Sequence, residues 1–284
     1  MFELSPERFV VARPLFKHWL PRCAPAHAVL SGHNPGRVYV DDVDQPSVAF
    51  MWTRWGYYYL AGEPGNAAFN AALAERLARD FVPLSAATGE LGLILYPSPH
   101  AWEEQVGTLL GTWMPVRIFR RTYAFHPERF AAYRAQAAAM PARFTVRAID
   151  GALLASARPE ISAALVAELG PGWASLEDFL ARGIGSCVVD GDPQTDGVVA
   201  SVCLTVMVSE RAAEISVHTA DAYLRRGLAS HAATACIEQC LARGLVPNWE
   251  CWWDNAASDA LARRLGFEAV SDHPVYYWEA AATA

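Results

Sequence analysis

The stretch AEISVHTADAYLRRGLASHAATACIEQCLARG, residues 213–244, constrains the fold more than any other part of the chain. It reads as a strand, a short loop and a long helix that ends at Gly244. A strand that feeds a helix through a short loop is the repeating unit of α/β architecture. The first helical turn holds Arg226, Gly227, Leu228, Ala229 and Ser230. A helix start carries unsatisfied N–H groups and a partial positive charge, so it attracts anions. Gly227 would let phosphate oxygens approach the backbone, Ala229 and Ser230 keep the surface low, and Arg225 and Arg226 add charge-assisted donors. The plainer alternative is a helix with two solvated arginines, which must accept a small unfavourable interaction with the helix dipole.

The rest of the chain follows the same grammar. RVYVDD, SVAFMWTR and GYYYLAG are three strand-like runs separated by turn residues. NAAFNAALAERLARDFV has helical spacing with Asn66 as its cap, LGLILY is a central strand, HAWEEQVGTLLG a second helix and VRIFRRTYAF a closing strand. Next come PERFAAYRAQAA, FTVRAID and PEISAALVAEL, then a short helix SLEDFLARG that starts at Ser175. GSCVVDGD and GVVASVCLTVMVSE form a hairpin before AEISVHT and its helix. VPNWECWW reads as one further strand, NAASDALARRLG as a capped helix, and FEAVSDHPVYYWEA as two short strands. This order predicts two α/β (α+β) domains, 1–125 and 126–284. The first is either a degenerate copy of the second or an unrelated α/β domain.

Composition narrows the function. The 284 residues are 53% hydrophobic, enough for a sizeable core, and the net charge of −7 argues against non-specific nucleic-acid binding. No signal peptide and no apolar run near the ~20 residues of a membrane span are apparent, so no membrane partner and a cytoplasmic location are expected. The six cysteines form no CxxC pair; Cys236 and Cys240, one helical turn apart, read as core rather than metal ligands, and no metal is expected. FMWTRWGYYYL is either strand core or the lining of a cationic-ligand pocket.

Several motifs carry a resemblance. LRRGLA resembles the acyl-coenzyme A pyrophosphate loop of the GCN5-related N-acetyltransferase (GNAT) superfamily, with Leu224 where Gln or Arg is usual and Gly227 and Ala229 at the next two motif positions. PNWECWWDNAASDALARRLGF resembles that superfamily's next block. WASLEDFLARGIGSCVV, PGRVYVDD and YYYLAGEPGNAAFNAAL extend the likeness over nearly the full length, to a bacterial family of GNAT-type acetyltransferases that includes antibiotic self-resistance members. The resemblance implies a mixed, mostly antiparallel sheet whose fourth and fifth strands splay apart around the pantetheine arm. It implies acetyl-CoA, or another acyl-CoA, as co-substrate. Val217, His218 and Thr219 would face the pantetheine amides, Arg225, Arg226, Gly227, Leu228, Ala229 and Ser230 would hold the pyrophosphate, and Asn255 would lie near the thiol.

The implied reaction is attack of an amine on a thioester. An aliphatic amine, with a pKa near ~10.4, must lose a proton first. Glu214 is the leading base; strand alternation places it with Ser216 and His218 on one face. Glu250 is its rival, and His218 a third choice. Where many superfamily members carry a tyrosine that protonates the leaving thiolate, this chain has Ala262, so Ser258, Tyr276, Tyr277 or water would substitute. The expected function is acyl transfer to a primary amine of a small molecule, by a monomer or homodimer. The alternatives are a non-catalytic coenzyme A sensor and a protein-directed acetyltransferase.

Overall fold

The computed structural model describes residues 1–17, 23–87 and 92–279. The chain divides into two compact units, one of Met1–Arg120 with the residues from Asp272 onward, the other of Arg121–Ser271.

In the first unit, strand β1 (Phe2–Glu3) precedes helices α1 (Phe9–Ala12) and α2 (Ala24–Leu30). Strands β2 (Gly36–Val40), β3 (Val48–Thr53) and β4 (Tyr57–Gly62) follow, then α3 (Ala67–Arg76) and α4 (Val82–Ala87), joined by a π turn. Strand β5 (Gly92–Ser98) leads through a 3-10 turn to α5 (Val106–Leu110) and β6 (Val116–Phe125), whose residues from Arg121 onward belong to the second unit. β1 to β4 pair antiparallel in chain order, and β4 and β5 run parallel from Tyr57 opposite Ile94 to Ala61 opposite Ser98. β3 is buried along its whole length, as its unbroken apolar run VAFMWT requires. Phe50, Tyr58, Phe69, Phe81 and Trp102 build the core, so the aromatic run is mainly strand core. The Tyr58 hydroxyl and the Trp52 indole both reach Ser85 Oγ, which satisfies polar tips that burial would otherwise strand.

In the second unit, α6 (Pro127–Gln136) and β7 (Phe144–Ala148) lead to α7 (Gly151–Ser156), α8 (Pro159–Ala167) and α9 (Leu176–Arg182). Ser175 caps α9 by accepting from Asp178 N. Strands β8 (Gly185–Asp190), β9 (Val198–Val208) and β10 (Ala212–Thr219) follow, then α10 (Leu228–Ala242). β11 (Val246–Asn248), β12 (Glu250–Trp252), α11 (Ala256–Arg264) and β13 (Phe267–Glu279) complete the chain. β7 to β10 are antiparallel neighbours, and β11 joins β10 in parallel. Leu228, Ala232, Ala233, Cys236, Ile237 and Cys240 of α10 are buried in the unit's core.

Two elements differ from the sequence reading. VPNWECWW is two short strands, because the chain turns at Trp249. The final stretch is one strand of 13 residues that runs through Pro274, not two short strands. Its second part pairs with β5, Tyr276 opposite Leu95, and the residues from Asp272 onward belong to the first unit.

Candidate active site

The second unit holds every candidate residue outside the terminal tyrosines. β11 accompanies β10 only from Ala212 to Glu214, opposite Val246 to Asn248. At the next step the register of β9 against β10 shifts, with Met207 opposite Glu214 and Thr205 opposite Ile215. The extra residue on β9, Val206, makes a β-bulge, which bends and twists the pair locally. On the other side the chain turns at Trp249 and continues as β12, the neighbour of β6 rather than of β10. Two parallel strands therefore begin together and part. The five residues Ile215–Thr219 keep β9 on one edge and leave β11 on the other.

Glu214 sits at the fork. It is 7% exposed, and its carboxylate accepts from the Asn248 amide, itself 9% exposed, directly across the ladder. A buried carboxylate needs such a donor. Beyond it Ser216 and His218 are exposed, whereas Ile215 is buried, so strand alternation holds here. His218 Nδ1 lies 2.8 Å from Glu168 Oε1. Its carbonyl accepts from Ser201 Oγ at 2.9 Å, and the same hydroxyl meets Thr219 Oγ1 at 2.8 Å.

The loop to α10 is conformationally specialised. Arg225 has φ +60° and Gly227, the helix N-cap, has φ +78°. A left-handed arginine costs roughly 1–2 kcal/mol, the kind of strain that concentrates at functional sites. No side chain caps this helix start, and a Cβ built on Gly227 meets nothing within 4 Å. Arg226 stacks over Tyr223 at 5.3 Å. The Tyr223 hydroxyl donates to Asp190, 3.0 Å away, and Arg143 also engages that carboxylate and holds it below its ordinary range. Arg264 Nη1 donates to the buried Ser230 Oγ at 3.4 Å. Burial lowers the imidazole of His231, one turn into the helix.

On the β12 side, Asn255 caps α11 by accepting from Ser258 N at 3.0 Å. Ser258 Oγ in turn accepts from the Trp249 indole at 3.0 Å, which ties α11 to the turn where the strand leaves. Glu250 lies two residues past Asn248, half-buried on β12, beyond the fork. Ala262 is fully buried, and the buried Tyr123 of β6 reaches α11 with its hydroxyl, donating to Asp259 Oδ1 at 2.8 Å. Burial, then its contacts with Cys251 and Asp259, raise that hydroxyl strongly. Tyr276 and Tyr277 lie in the first unit, where their hydroxyls donate to Glu103 and Glu279. All six cysteines are buried thiols; burial pushes Cys187 up to about 12, the contact with Cys203 raises Cys236, and the contact with Cys236 raises Cys240. Among the described residues no group of three His, Cys, Asp or Glu side chains could hold a metal, and no helix is long and apolar enough to cross a membrane.

A forked parallel pair beside an uncapped, arginine-flanked helix start is the geometry the resemblance implies. A family model described as GNAT acetyltransferase matches residues 13–276. The chain belongs to the GNAT acetyltransferase family. It is 27% identical over 251 residues to the uncharacterized N-acetyltransferase YdfB of Bacillus subtilis, covering 88% of each chain. A GCN5-related N-acetyltransferase-like protein from Streptococcus suis superposes with a TM-score of 0.68 at 25% identity, over 96% of this chain and 99% of that one. The tandem GNAT protein from the clavulanic acid biosynthesis pathway shares the fold, with a TM-score of 0.57 at 14% identity over 99% and 98% of the two chains. The protein is thus a GNAT-type acetyltransferase, with a mixed, mostly antiparallel sheet in its second unit.

Three participants escaped sequence reasoning. Glu168 carries no local signal, since it lies 50 residues from His218. Asn248 becomes Glu214's partner only through the parallel register. Trp249 is one of three tryptophans in NWECWW, and only its place between β11 and β12 distinguishes it.

Proposed function

We propose that this GNAT protein transfers an acetyl or related acyl group from acyl-coenzyme A to a primary amine of a small molecule. The fork at Glu214 and Asn248 carries the reading. A strand edge that has lost its neighbour offers backbone donors and acceptors to an extended amide-bearing chain, as a missing strand would. Val217, His218 and Thr219 lie on that edge, and the helix start at Arg225–Ser230 lies beyond them in chain order, suited to a pyrophosphate. The acyl carbonyl would take a backbone N–H of the open edge as its oxyanion donor. Asn255 and Ser258, fixed through Trp249, stand on the opposite arm of the fork, where the thiol would leave.

Glu214 is the proposed base. Its hydrogen bond to Asn248 fixes it at the vertex, where a proton must be removed from the nitrogen. Glu250, on the other arm, is the rival. The test is thiol release from acetyl-coenzyme A with a panel of primary amines. Glu214→Gln should lower turnover by roughly 10²–10⁴-fold with coenzyme A binding retained. Wild-type turnover in Glu214→Gln with loss in Glu250→Gln would move the role to Glu250. Binding of coenzyme A with no turnover of any amine, small or protein-borne, would mark a sensor instead.

A further inference from the structure

The open edge of β10 carries a second ionisable side chain, and it is built differently from the first. Glu214 is buried and committed to Asn248. His218, four residues on, is 61% exposed, yet its ring is oriented: Nδ1 meets Glu168 Oε1 at 2.8 Å. Glu168 is the C-cap residue of α8, and the buried Leu165 and Leu169 on either side fix its place. A carboxylate accepts only, so Nδ1 carries a proton, and in the neutral ring Nε2 then presents the lone pair. Among the described residues Nε2 has no protein partner.

The reaction leaves a task for such a group. An ammonium carries three protons on nitrogen and the amide product carries one. Of the two that leave, one ends on the thiol sulfur and one goes to solvent. The proton bound for solvent must depart before attack, because a protonated amine has no lone pair. We infer that His218 takes this first proton through Nε2 and passes it to water, with Glu168 as its positioning residue, while the second proton leaves the attacking nitrogen at Glu214. An exposed imidazole suits the first step, since solvent reaches the ring that must hand the proton on. A buried carboxylate that accepts from the Asn248 amide suits the second. The inference rests on the acyl-transfer reading above and adds to it a division of labour along one strand.

Two acceptors separate the steps. Propylamine is an ammonium at pH 7 and needs both deprotonations. Aniline is already neutral and needs only the second. With the full-length chain and saturating acetyl-coenzyme A, His218→Gln should lower kcat/KM for propylamine by roughly 10²-fold, and Glu168→Ala by about 10-fold. The loss with aniline should be at least tenfold smaller than the His218→Gln loss with propylamine. Glu214→Gln should slow both amines. Equal losses on both amines in His218→Gln, or no loss on either, overturn the inference and leave the transfer reading standing. Nitrogen-15 NMR of the neutral His218 ring reads the geometry without any acceptor. A proton on Nδ1 in the wild type, shifting toward Nε2 in Glu168→Ala, is expected; a wild-type ring protonated on Nε2 alone overturns the inference whatever the turnover.

Discussion

At residue 227 the backbone has φ +78°, and space for a side chain is open around it. Glycine is needed there for its dihedral angle and for what a side chain would keep away, not for packing. Gly266 is the contrasting case: a Cβ would fall 2.6 Å from Phe130 N, so that glycine is demanded by close approach as well as by its φ of +88°. The contrast separates two variants. Gly227→Asp and Gly227→Asn accept the left-handed conformation about equally, since both residue types visit it. The aspartate also places a negative charge where the pyrophosphate is proposed to sit. Calorimetry should show coenzyme A affinity falling at least ~10-fold further in Gly227→Asp than in Gly227→Asn, a difference of about 1.4 kcal/mol. Equal affinities would remove the phosphate from this turn. LRRGLASHAA displayed the glycine and its arginines plainly, because a turn and a helix start are local in sequence.

Among elements, α11 shows how one helix can be fixed from two sides. Its first turn holds Trp249 through Ser258 and receives the Tyr123 hydroxyl at Asp259. Arg263 first, with help from Tyr123 and Arg121 and against burial, holds the Asp259 carboxyl below the ordinary carboxylate range. A carboxyl whose pKa is lower in the folded state contributes stability above its unfolded value, near ~3.9, and loses it as pH falls through the folded value. Asp259→Asn keeps an acceptor for Tyr123 and removes the charge, so it should cost about 1–2 kcal/mol at neutral pH. Denaturant unfolding at stepped pH should show the gap to wild type constant from pH 7 down to about 5 and closing below about 4. A gap that persists unchanged in acid would mean that the charge contributes nothing. None of this was visible in the sequence, since Tyr123 and Asp259 are 136 residues apart. The break of VPNWECWW at Trp249 was hidden for a related reason: each half keeps a strand-like composition, and only the different neighbours of β11 and β12 separate them.

For the whole molecule, each unit has an antiparallel run of strands, a helix and a parallel strand, yet their helix starts are unlike. In the first unit β4 and β5 stay paired from Tyr57–Ile94 to Ala61–Ser98, with no fork over that span. Asn66 caps α3 with its own side chain and donates to Asp41, and the Glu63 carboxylate accepts from Gly65 N beside it. Occupied donors and two carboxylates repel a phosphate, so one coenzyme A per chain is expected. Titration calorimetry should give a stoichiometry near one, lost together with binding in Gly227→Asp; a value of two would refute the asymmetry. By itself the sequence determined the order of elements, the glycine-marked helix start and the family likeness. Those depend on periodicity, turn chemistry and motifs that lie within a few residues of one another. The tertiary structure decided the partners of Glu214, His218 and Asp259, the fork at Trp249 and the return of β13 to the first unit. Each joins residues distant along the chain through strand register and helix packing, and a one-residue change of register would replace every one of those partners while leaving the local patterns as they are.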